Sequence, residues 1–347
     1  MVSSLNKGIL NQEFQSYLTE EINREATLLN LVQKLAERKS TIEWTANMGG
    51  TKVEGVAITA SAPAATSDKV VPAMLPINSG SIQSAFTLNS KEIVEAAEMV
   101  SPQELRNLLR SHMSLAVDEM LHTLSRNCYN GNGSVVDGGI YGLDEAVSDT
   151  KDYAGISASQ YPLWRSVVVD KWDENASGAD KRQPLTTDDF HALERQMRYR
   201  PGRYDIIVTT PKVVEVYKKI FEANRSYNVY VTERGMIPTV DLGFSALSYA
   251  GKPIIDDAFC IRKRDAAEDA IALGDDDEGV IYFLKLSDLE FMSVPTPGSS
   301  SKSGVYTQME QLAKNSLYVD RYVVGCIPQL KLKTRKNTGM IKNIAVA

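Results

Sequence analysis

The segment that most constrains the fold is residues 101–130, because its pattern predicts a single long helix. Ser101 and Glu104 have the spacing of a helix-capping box, and Pro102 between them suits the first helical position. Apolar residues then form one stripe at helical spacing: Leu105, Leu109, Met113, Ala116, Val117, Met120, Leu121 and Leu124. Asn130-Gly131 is the stop signal, and at about 1.5 Å per residue the helix is roughly 40 Å long. We therefore expect a strut that crosses a whole domain.

The N-terminal segment has a weaker helical pattern. From Leu10 to Arg38, large apolar residues occur at spacings of three, four and seven and predict one amphipathic helix or two short ones. The residues concerned are Phe14, Leu18, Ile22, Leu29, Val32 and Leu35. Two interpretations stay open: a helix packed on its own domain, or an arm that lies against a neighbouring subunit.

The segment from Ser40 to Leu88 is rich in Gly, Ala, Ser, Thr and Pro and has few large apolar side chains. Val53–Ile58 and Ser81–Leu88 are predicted as strands, with glycines and prolines between them. We expect a long two-stranded excursion with an ill-defined tip, and the alternative is a disordered linker. Because an isolated hairpin is only marginally stable in water, such an excursion needs a partner surface.

The segment after residue 142 alternates strand and helix signals. Trp164 predicts an aromatic anchor before a strand at Val167–Val169, and Thr186 or Thr187 caps the helix that follows. The next elements are a strand at Ile206–Val208, a helix after Thr209-Thr210-Pro211, a hairpin of Ala246–Tyr249 and Lys252–Ile255, and strands at Val280–Leu284 and Tyr318–Val324. This order predicts an α+β fold in which helices cover a mixed sheet.

Two charged segments stand apart from this order. Residues Ile261–Gly279 end in a run of four acids, but they lack the alternating oxygen ligands of an EF-hand, so we predict a solvated loop. The C-terminal residues 330–347 are basic and contain no acid. They either contact nucleic acid or an acidic neighbour, or form a solvated strand end.

Composition limits the class of protein. The 347 residues carry a net charge of -6, which argues against a dedicated DNA-binding protein whose affinity comes from phosphate neutralisation. The longest apolar runs are far shorter than the roughly 18 residues of a membrane helix. The N-terminus lacks the pattern of a signal peptide, so we expect the chain to fold in a cytoplasm.

The sequence contains no group of residues that predicts catalysis. Phosphate-loop, dinucleotide, serine-elbow and zinc-helix motifs are all absent. His112 and His122 lie about 15 Å apart along the long helix and cannot share a metal, and His191 has no nucleophile near it in sequence. The isolated cysteines are predicted to be core residues rather than disulfide or zinc partners: Cys128, Cys260 and Cys326. We expect no enzymatic activity, no cofactor and no metal.

Several segments taken in order resemble one known family. They are GLDEAV, YPLWRSVVVD, LTTDDFHALERQM, YDIIVTTPKVVEVYKKIF, NRSYNV, DLGFSALSYAGKPIIDD and YFLKLSDLEF, followed by a closing strand pair. Their order and residue types are similar to the major capsid proteins of tailed double-stranded DNA phages, which share the Hong Kong 97-like fold with encapsulins. The resemblance covers Gly142–Ile327; before Gly131 only the order of elements is shared. The insert at Ile261–Gly279 departs from the compact turn of the family.

The resemblance implies an α+β, Hong Kong 97-like capsid fold with five parts. They are an N-terminal arm at 1–39, an extended hairpin loop at 40–88, a peripheral domain at 89–136 and 280–347, its spine helix at about 101–130, and an axial domain with a mixed sheet at 137–279. The extended loop is expected to lie over a neighbouring subunit.

The function implied by the resemblance is structural. Pentamers and hexamers of the chain close into an icosahedral shell around a phage double-stranded DNA genome, which the shell contacts without sequence specificity. Scaffolding and portal proteins, and a decoration protein, are the further partners that the family implies, and no membrane is involved. The chain is expected in the virion, after assembly in the cytoplasm of the bacterial host.

The residues expected to contact other subunits lie in the extended loop. Main-chain pairing and apolar anchors would hold it: Trp44, Val53, Val56, Ile58 and Phe86. Some members of the family crosslink subunits through a lysine, for which the loop offers Lys52 and Lys69, but no partner asparagine or catalytic carboxylate is identifiable. Deletion of Thr51–Pro76 is predicted to leave a soluble, folded subunit that does not assemble.

Two alternatives remain at this point. An encapsulin-like shell has the same fold but encloses a cargo protein instead of DNA. A non-assembling nucleic-acid-binding protein or enzyme belongs to a different class, and both the acidic balance and the lack of a basic groove lined with aromatic residues weigh against it.

Overall fold

The computed structural model describes residues 27–48, 70–77, 79–89, 102–176, 181–198, 204–222, 247–263, 276–277, 279–294, 310–316 and 319–346. The chain forms two compact units. Unit 1 consists of the described residues within Met1–Ala146, Lys151–Leu163 and Ser287–Lys333. Unit 2 consists of those within Val147–Thr150, Trp164–Leu286 and Thr334–Ala347.

The helices of the described residues are α1 (Thr27–Leu31), α2 (Pro102–Asn130), α3 (Leu143–Ala146), α4 (Thr187–Arg198) and α5 (Pro211–Glu222). Short 3-10 turns occur at Pro162–Trp164, Leu286–Asp288 and Arg335–Asn337. In the part of the chain that is described, no helix is both long and apolar enough to cross a membrane.

The strands before residue 260 are β1 (Gln33–Ala36), β2 (Thr41–Asn47), β3 (Val70–Pro76), β4 (Ile82–Asn89), β5 (Val167–Asp170), β6 (Ile206–Thr209), β7 (Leu247–Tyr249) and β8 (Lys252–Asp256). Those after it are β9 (Arg262–Lys263), β10 (Asp276–Asp277), β11 (Ile281–Leu284), β12 (Leu289–Ser293), β13 (Glu310–Ser316), β14 (Val319–Cys326), β15 (Pro328–Leu332) and β16 (Gly339–Lys342).

Unit 1 combines the long helix with three small sheets. Helix α2 ends at Asn130, as the stop signal predicts, and packs along β4. Its inward stripe is buried where the structure describes it: Ala116, Val117, Met120, Leu121 and Leu124. The sheets are the hairpin β2–β3, the antiparallel sheet β13–β14–β4, and the sheet β1–β12–β15, in which β1 runs parallel to β12. The predicted long helix is therefore confirmed.

Unit 2 is a six-stranded mixed sheet in the order β5–β16–β11–β6–β8–β7, with α4 and α5 packed on it. The caps act as the sequence predicts. The amide and the hydroxyl of Thr186 donate to the Asp189 carboxylate over 2.8 and 2.7 Å, and Thr210 Oγ1 accepts from the Val213 amide over 3.3 Å. In the β7–β8 hairpin, Ala250 and Gly251 have φ of 50° and 75°, as a two-residue turn requires.

The N-terminal helix prediction is wrong for the residues after Leu31. Helix α1 ends at Leu31, and the next residues form strand β1, which pairs with the buried strand β12. The apolar spacing arises because Leu29 and Val32 are both buried on either side of the helix end. The rest of the predicted helix, residues 10–26, lies outside the described residues.

The strand predicted at Ser81–Leu88 is confirmed as β4. The hairpin is formed by β2 and β3, whereas β4, at the place of the predicted strand Ser81–Leu88, pairs with β14 over 200 residues away in sequence. Both strands of a two-stranded ribbon are edge strands, so β3 tolerates prolines at 72 and 76. Val53–Ile58 lies outside the described residues.

The two charged segments are less solvated than predicted. The Arg262 side chain is buried and donates to Asn343 Oδ1 over 3.0 Å, so one end of the insert belongs to the core of unit 2. In the C-terminal segment Leu330 and Leu332 are buried, and Arg335, fully buried, donates to the Ser148 carbonyl over 2.6 Å. The prediction of a solvated strand end is therefore wrong, because a basic residue of this segment, Arg335, is buried and hydrogen-bonded within its own chain.

The compact units divide the chain at different places from the predicted domains. Strand β11 and residues 334–347 belong to unit 2, whereas the predicted domains group both with residues 89–136; the predicted domain assignment itself stays a prediction. Strand β16 pairs antiparallel with β11 and parallel with β5. These two pairings attach the C-terminal residues to the sheet of unit 2.

Candidate assembly surface

The β2–β3 hairpin of unit 1 has two unlike faces. Successive side chains of a strand point to opposite sides, and the register pairs Trp44 with Ala73 and Thr45 with Pro72. The inner face carries buried apolar residues: Ile42, Ala46, Ala73 and Leu75. The outer face, which is exposed, consists of Glu43, Thr45, Asn47, Val70, Pro72 and Met74. Among the described residues, the hairpin thus packs on its own subunit with its inner face.

The outer face contains apolar side chains that the protein leaves in solvent. Val70 is 58% and Met74 50% exposed, and Pro72 lies between them on the same side of the ribbon. Clustered exposed apolar residues mark contact surfaces more often than scattered ones do. These residues were not predicted as a contact surface because the strand was expected at Val53–Ile58. The period-two spacing of Val70, Pro72 and Met74 is the signal that indicates them.

A second exposed apolar pair lies in the turn after α2. Val135 is 73% and Val136 92% exposed. The adjacent Asp137 carboxylate accepts from the Asn132 amide over 3.3 Å and from the Ser134 hydroxyl over 3.0 Å. These bonds hold the turn that presents the two valines.

Trp44, predicted as an inter-subunit anchor, lies on the inner face of the hairpin. Its indole Nε1 donates to the Lys333 carbonyl over 3.2 Å, and the Lys331 ammonium lies 5.1 Å from the ring centroid. Both partners belong to the same unit, so the described contacts of Trp44 are within its own subunit.

The lysines beside Trp44 share one carboxylate. Lys331 Nζ lies 3.0 Å and Lys333 Nζ 2.6 Å from the Glu290 carboxylate oxygens. Burial on its own raises the pKa of Glu290, but the hydrogen bonds from Lys333 and Lys331 outweigh it and hold that pKa below its ordinary value. Glu290 is therefore ionised at neutral pH.

The other predicted contact residues fall in two groups. Phe86, on β4, stacks on His112 of α2 with ring centroids 6.1 Å apart and an angle of 13° between the planes. The remaining ones lie outside the described residues: Lys52, Val53, Val56, Ile58 and Lys69.

The base of the hairpin is bound to the unit by a buried amide. Gln329 Nε2 donates to the carbonyls of Pro76 and Gly139 over 2.6 and 3.1 Å. Its Oε1 accepts from the amides of Tyr141 and Leu330 over 2.9 and 3.1 Å. This one side chain joins the hairpin, the turn after α2 and strand β15.

The cysteines and His191, which carry the only catalytic chemistry considered from the sequence, all lie within the described residues. All three cysteines are buried, as predicted. Burial, with a contribution from Asp257, raises the pKa of Cys260, and burial raises the pKa of Cys326 to about 12. His191 is exposed and lies 3.3 Å from the Tyr249 hydroxyl. No group of three metal-ligating side chains occurs among the described residues.

We expect the thiols to be unreactive in the folded protein. A thiol with a pKa of about 12 is almost entirely protonated at about pH 8, so native labelling by a thiol reagent should be at least about a hundredfold slower than labelling in denaturant. Mass spectrometry of peptides, with the denatured chain as the control, measures this for each cysteine. A native thiol that reacts as fast as in the denatured chain would contradict the structural role of these residues.

Similarity to solved structures extends over nearly the whole chain. A chain of the cyanophage A-1(L) capsid matches with a TM-score of 0.66 at 19% sequence identity, over 92% of this chain and 93% of that one. The capsid of the native GTA particle matches with a TM-score of 0.57 at 11% identity, over 92% and 90%. The SrpI encapsulin of Synechococcus elongatus PCC 7942 matches with a TM-score of 0.50 at 10% identity, over 92% and 88%.

No protein-family model matches the chain, and no curated protein sequence matches it. The structural matches define the class of fold: the chain has the α+β capsid fold of the Hong Kong 97 type. This confirms the fold predicted from the order of segments in the sequence.

Proposed function

We propose that this chain is the major capsid protein of a tailed double-stranded DNA phage, a structural subunit that associates with copies of itself into an icosahedral shell. The observation that carries the proposal is the match to the cyanophage A-1(L) capsid chain, which covers 92% of this chain and 93% of that one. A similarity of that extent covers both compact units of the chain rather than one of them.

The outer face of the β2–β3 hairpin is the surface that we assign to a neighbouring copy. Its apolar residues are exposed in the single chain, while its inner face is already packed. A permanent shell must bury well above the roughly 1,600 Å² of a standard protein interface, divided among several neighbours. The hairpin supplies one such contact, and Val70, Pro72 and Met74 are its apolar centre.

The predicted contact residues have two different roles in this proposal. Lys52, Val53, Val56, Ile58 and Lys69 remain proposed inter-subunit residues of the extended loop. Trp44 and Phe86 make contacts within their own subunit that hold strands β2 and β4 in place. Contacts of these two residues with a neighbouring subunit would be additional.

The parts of the subunit are assigned by analogy with the fold. We assign residues 1–39 to the N-terminal arm, 40–88 to the extended loop, most of unit 1 to the peripheral domain and most of unit 2 to the axial domain. Pentamers and hexamers would form around the axial domains. The arrangement requires neither a cofactor nor catalysis.

The partners follow from the same proposal. The shell encloses packaged DNA by contacts without sequence specificity, since the net charge of -6 offers no strong phosphate-binding surface. Scaffolding, portal and decoration proteins are the further partners. The subunit works in the virion and assembles in the cytoplasm of the bacterial host.

An encapsulin-like shell is the second candidate, and the match to the SrpI encapsulin favours it. The higher TM-score of the phage capsid chain, 0.66 against 0.50, supports the phage assignment. The contents of purified particles separate the two: nuclease-protected DNA is expected from a phage shell, and a single co-purified cargo protein from an encapsulin.

The test of assembly is size-exclusion chromatography with electron microscopy of the expressed chain. We expect pentamers, hexamers or megadalton particles. A monomer that persists up to about 100 μM, far above the Kd of a standard permanent interface, would contradict self-assembly.

We expect replacement of the tip of the extended loop by a flexible linker to abolish assembly and leave the fold intact. The structure changes the choice of deletion: removal of Thr51–Pro76 takes away strand β3 and the buried residues Ala73 and Leu75. Replacement of Thr51–Ser67 by a Gly-Ser linker keeps the described hairpin. Circular dichroism should show a folded subunit and electron microscopy no shells, whereas normal shells would contradict the role of the loop.

A further inference from the structure

We infer that Trp44, Lys331 and Glu290 form a clamp that fixes the β2–β3 hairpin to its own subunit. The Trp44 clamp, as we call these three residues, lies entirely within unit 1, so it exists whether or not the proposed assembly is correct. Its consequence for a shell is that the described part of the hairpin keeps one orientation relative to sheet β1–β12–β15.

The central member of the clamp is Lys331. Its ammonium is 3.0 Å from the Glu290 carboxylate and 5.1 Å from the centroid of the Trp44 ring, and the residue is only 8% exposed. A buried ammonium is stable only with a paired charge, and the electron-rich face of an indole adds further attraction. Lys331 therefore connects the hairpin to the carboxylate on β12.

Glu290 holds this lysine in place through the sheet register. Glu290 on β12 lies directly opposite Lys331 on β15 in the antiparallel ladder. The same carboxylate binds Lys333 over 2.6 Å, and the carbonyl of Lys333 accepts the Trp44 indole N–H. The indole is therefore contacted at its face by one lysine and at its edge by the backbone of the other.

The second strand of the hairpin is attached to the same part of the unit. Gln329, two residues before Lys331, donates to the Pro76 carbonyl at the end of β3. Both strands of the hairpin are thus bound to β15, through a charged contact on one side and an amide on the other. Two attachments on one strand oppose rotation of the hairpin about either of them.

The clamp differs from ordinary core packing in what its loss should do. Because Trp44 is only partly buried, the contact can open locally while the rest of the unit stays folded. Breaking it should increase motion of the hairpin without unfolding the sheet beneath it.

Hydrogen–deuterium exchange of the full-length, unassembled chain tests the clamp. The variants are Lys331→Met and Glu290→Gln, which keep side-chain length and remove the charge. We expect exchange in peptides covering Thr41–Asn47 and Val70–Pro76 to accelerate about tenfold or more, with peptides from β6 and β11 of unit 2 unchanged. Thr45→Ala, on the outer face of the same strand, is the matched control and should have no effect.

A double-mutant cycle decides whether Trp44 and Lys331 act together. If the two residues act together, adding Lys331→Met to the Trp44→Leu variant should raise the exchange rate of the hairpin peptides by less than about twofold, because the contact is already lost. Additive effects, unchanged exchange in the single variants, or equal acceleration in both units would overturn the inference. If Lys331→Met does not fold, Trp44→Leu, which removes the aromatic face that Lys331 contacts, carries the test: hairpin exchange should rise about threefold or more, and no rise overturns the inference.

Neither outcome depends on shells being formed. Failure of the proposed function would appear as a chain that never associates, while failure of the clamp would appear as unchanged hairpin exchange. The two results are therefore distinguishable.

Discussion

Substitution of Val70 and Met74 by glutamate is expected to abolish shell assembly and to leave the subunit folded. Both side chains are at least half exposed, so the charged forms remain hydrated in the free subunit and its melting temperature should change by only a few degrees. Docking of a neighbour would have to strip water from two unpaired carboxylates, and the yield of particles should fall about a hundredfold or more. Sedimentation and electron microscopy of the double variant measure this.

The matched control keeps the same positions apolar. Val70→Ile with Met74→Leu should assemble at close to the normal yield, since the outer face retains its hydrophobic surface. Normal particle yield from the double glutamate variant would show that this face is not an interface, and another surface would have to carry the contact.

The largest effect on stability is expected from Gln329→Leu. The leucine fills a similar volume but leaves the carbonyls of Pro76 and Gly139 and the amide of Tyr141 without their partner. Each unsatisfied buried group costs about 1–3 kcal/mol, so the free energy of unfolding should fall by about 4 kcal/mol. Chemical denaturation followed by circular dichroism gives the value.

Gln83→Leu is the control for this substitution. Gln83 is an exposed glutamine whose side chain donates to the Ser81 hydroxyl over 2.9 Å, and its loss should change the free energy of unfolding by less than about 0.5 kcal/mol. Equal effects of the two substitutions would mean that the Gln329 network does not attach the hairpin to the unit.

Elements with local signals could be predicted from the sequence. Helix α2 has its stop signal and stripe within thirty residues, and α4 and the β7–β8 hairpin depend on Thr186, Asp189 and the Ala250-Gly251 turn. Each of these signals lies within the element that it forms or directly beside it. The order of such elements was sufficient to indicate the capsid fold.

Features that depend on distant pairing could not be predicted in the same way. Strand β4 finds its partner β14 more than 200 residues later, and β1 pairs with β12. The basic C-terminal segment looks solvated in sequence because Glu290 and Asp170, which neutralise Lys331 and Lys342, are far away along the chain. The exposed face of the hairpin could not be predicted without the register of β2 and β3, since a shift of one residue exchanges the two faces.

The most direct measurement is a cryo-electron microscopy reconstruction of particles formed by the unmodified chain. We expect an icosahedral shell of pentamers and hexamers in which Val70, Pro72 and Met74 contact a neighbouring subunit and Trp44 contacts Lys331 and Lys333 of its own. Particles in which that outer face points into solvent would contradict the assigned interface. A chain that forms only small oligomers under all assembly conditions would contradict the capsid function itself.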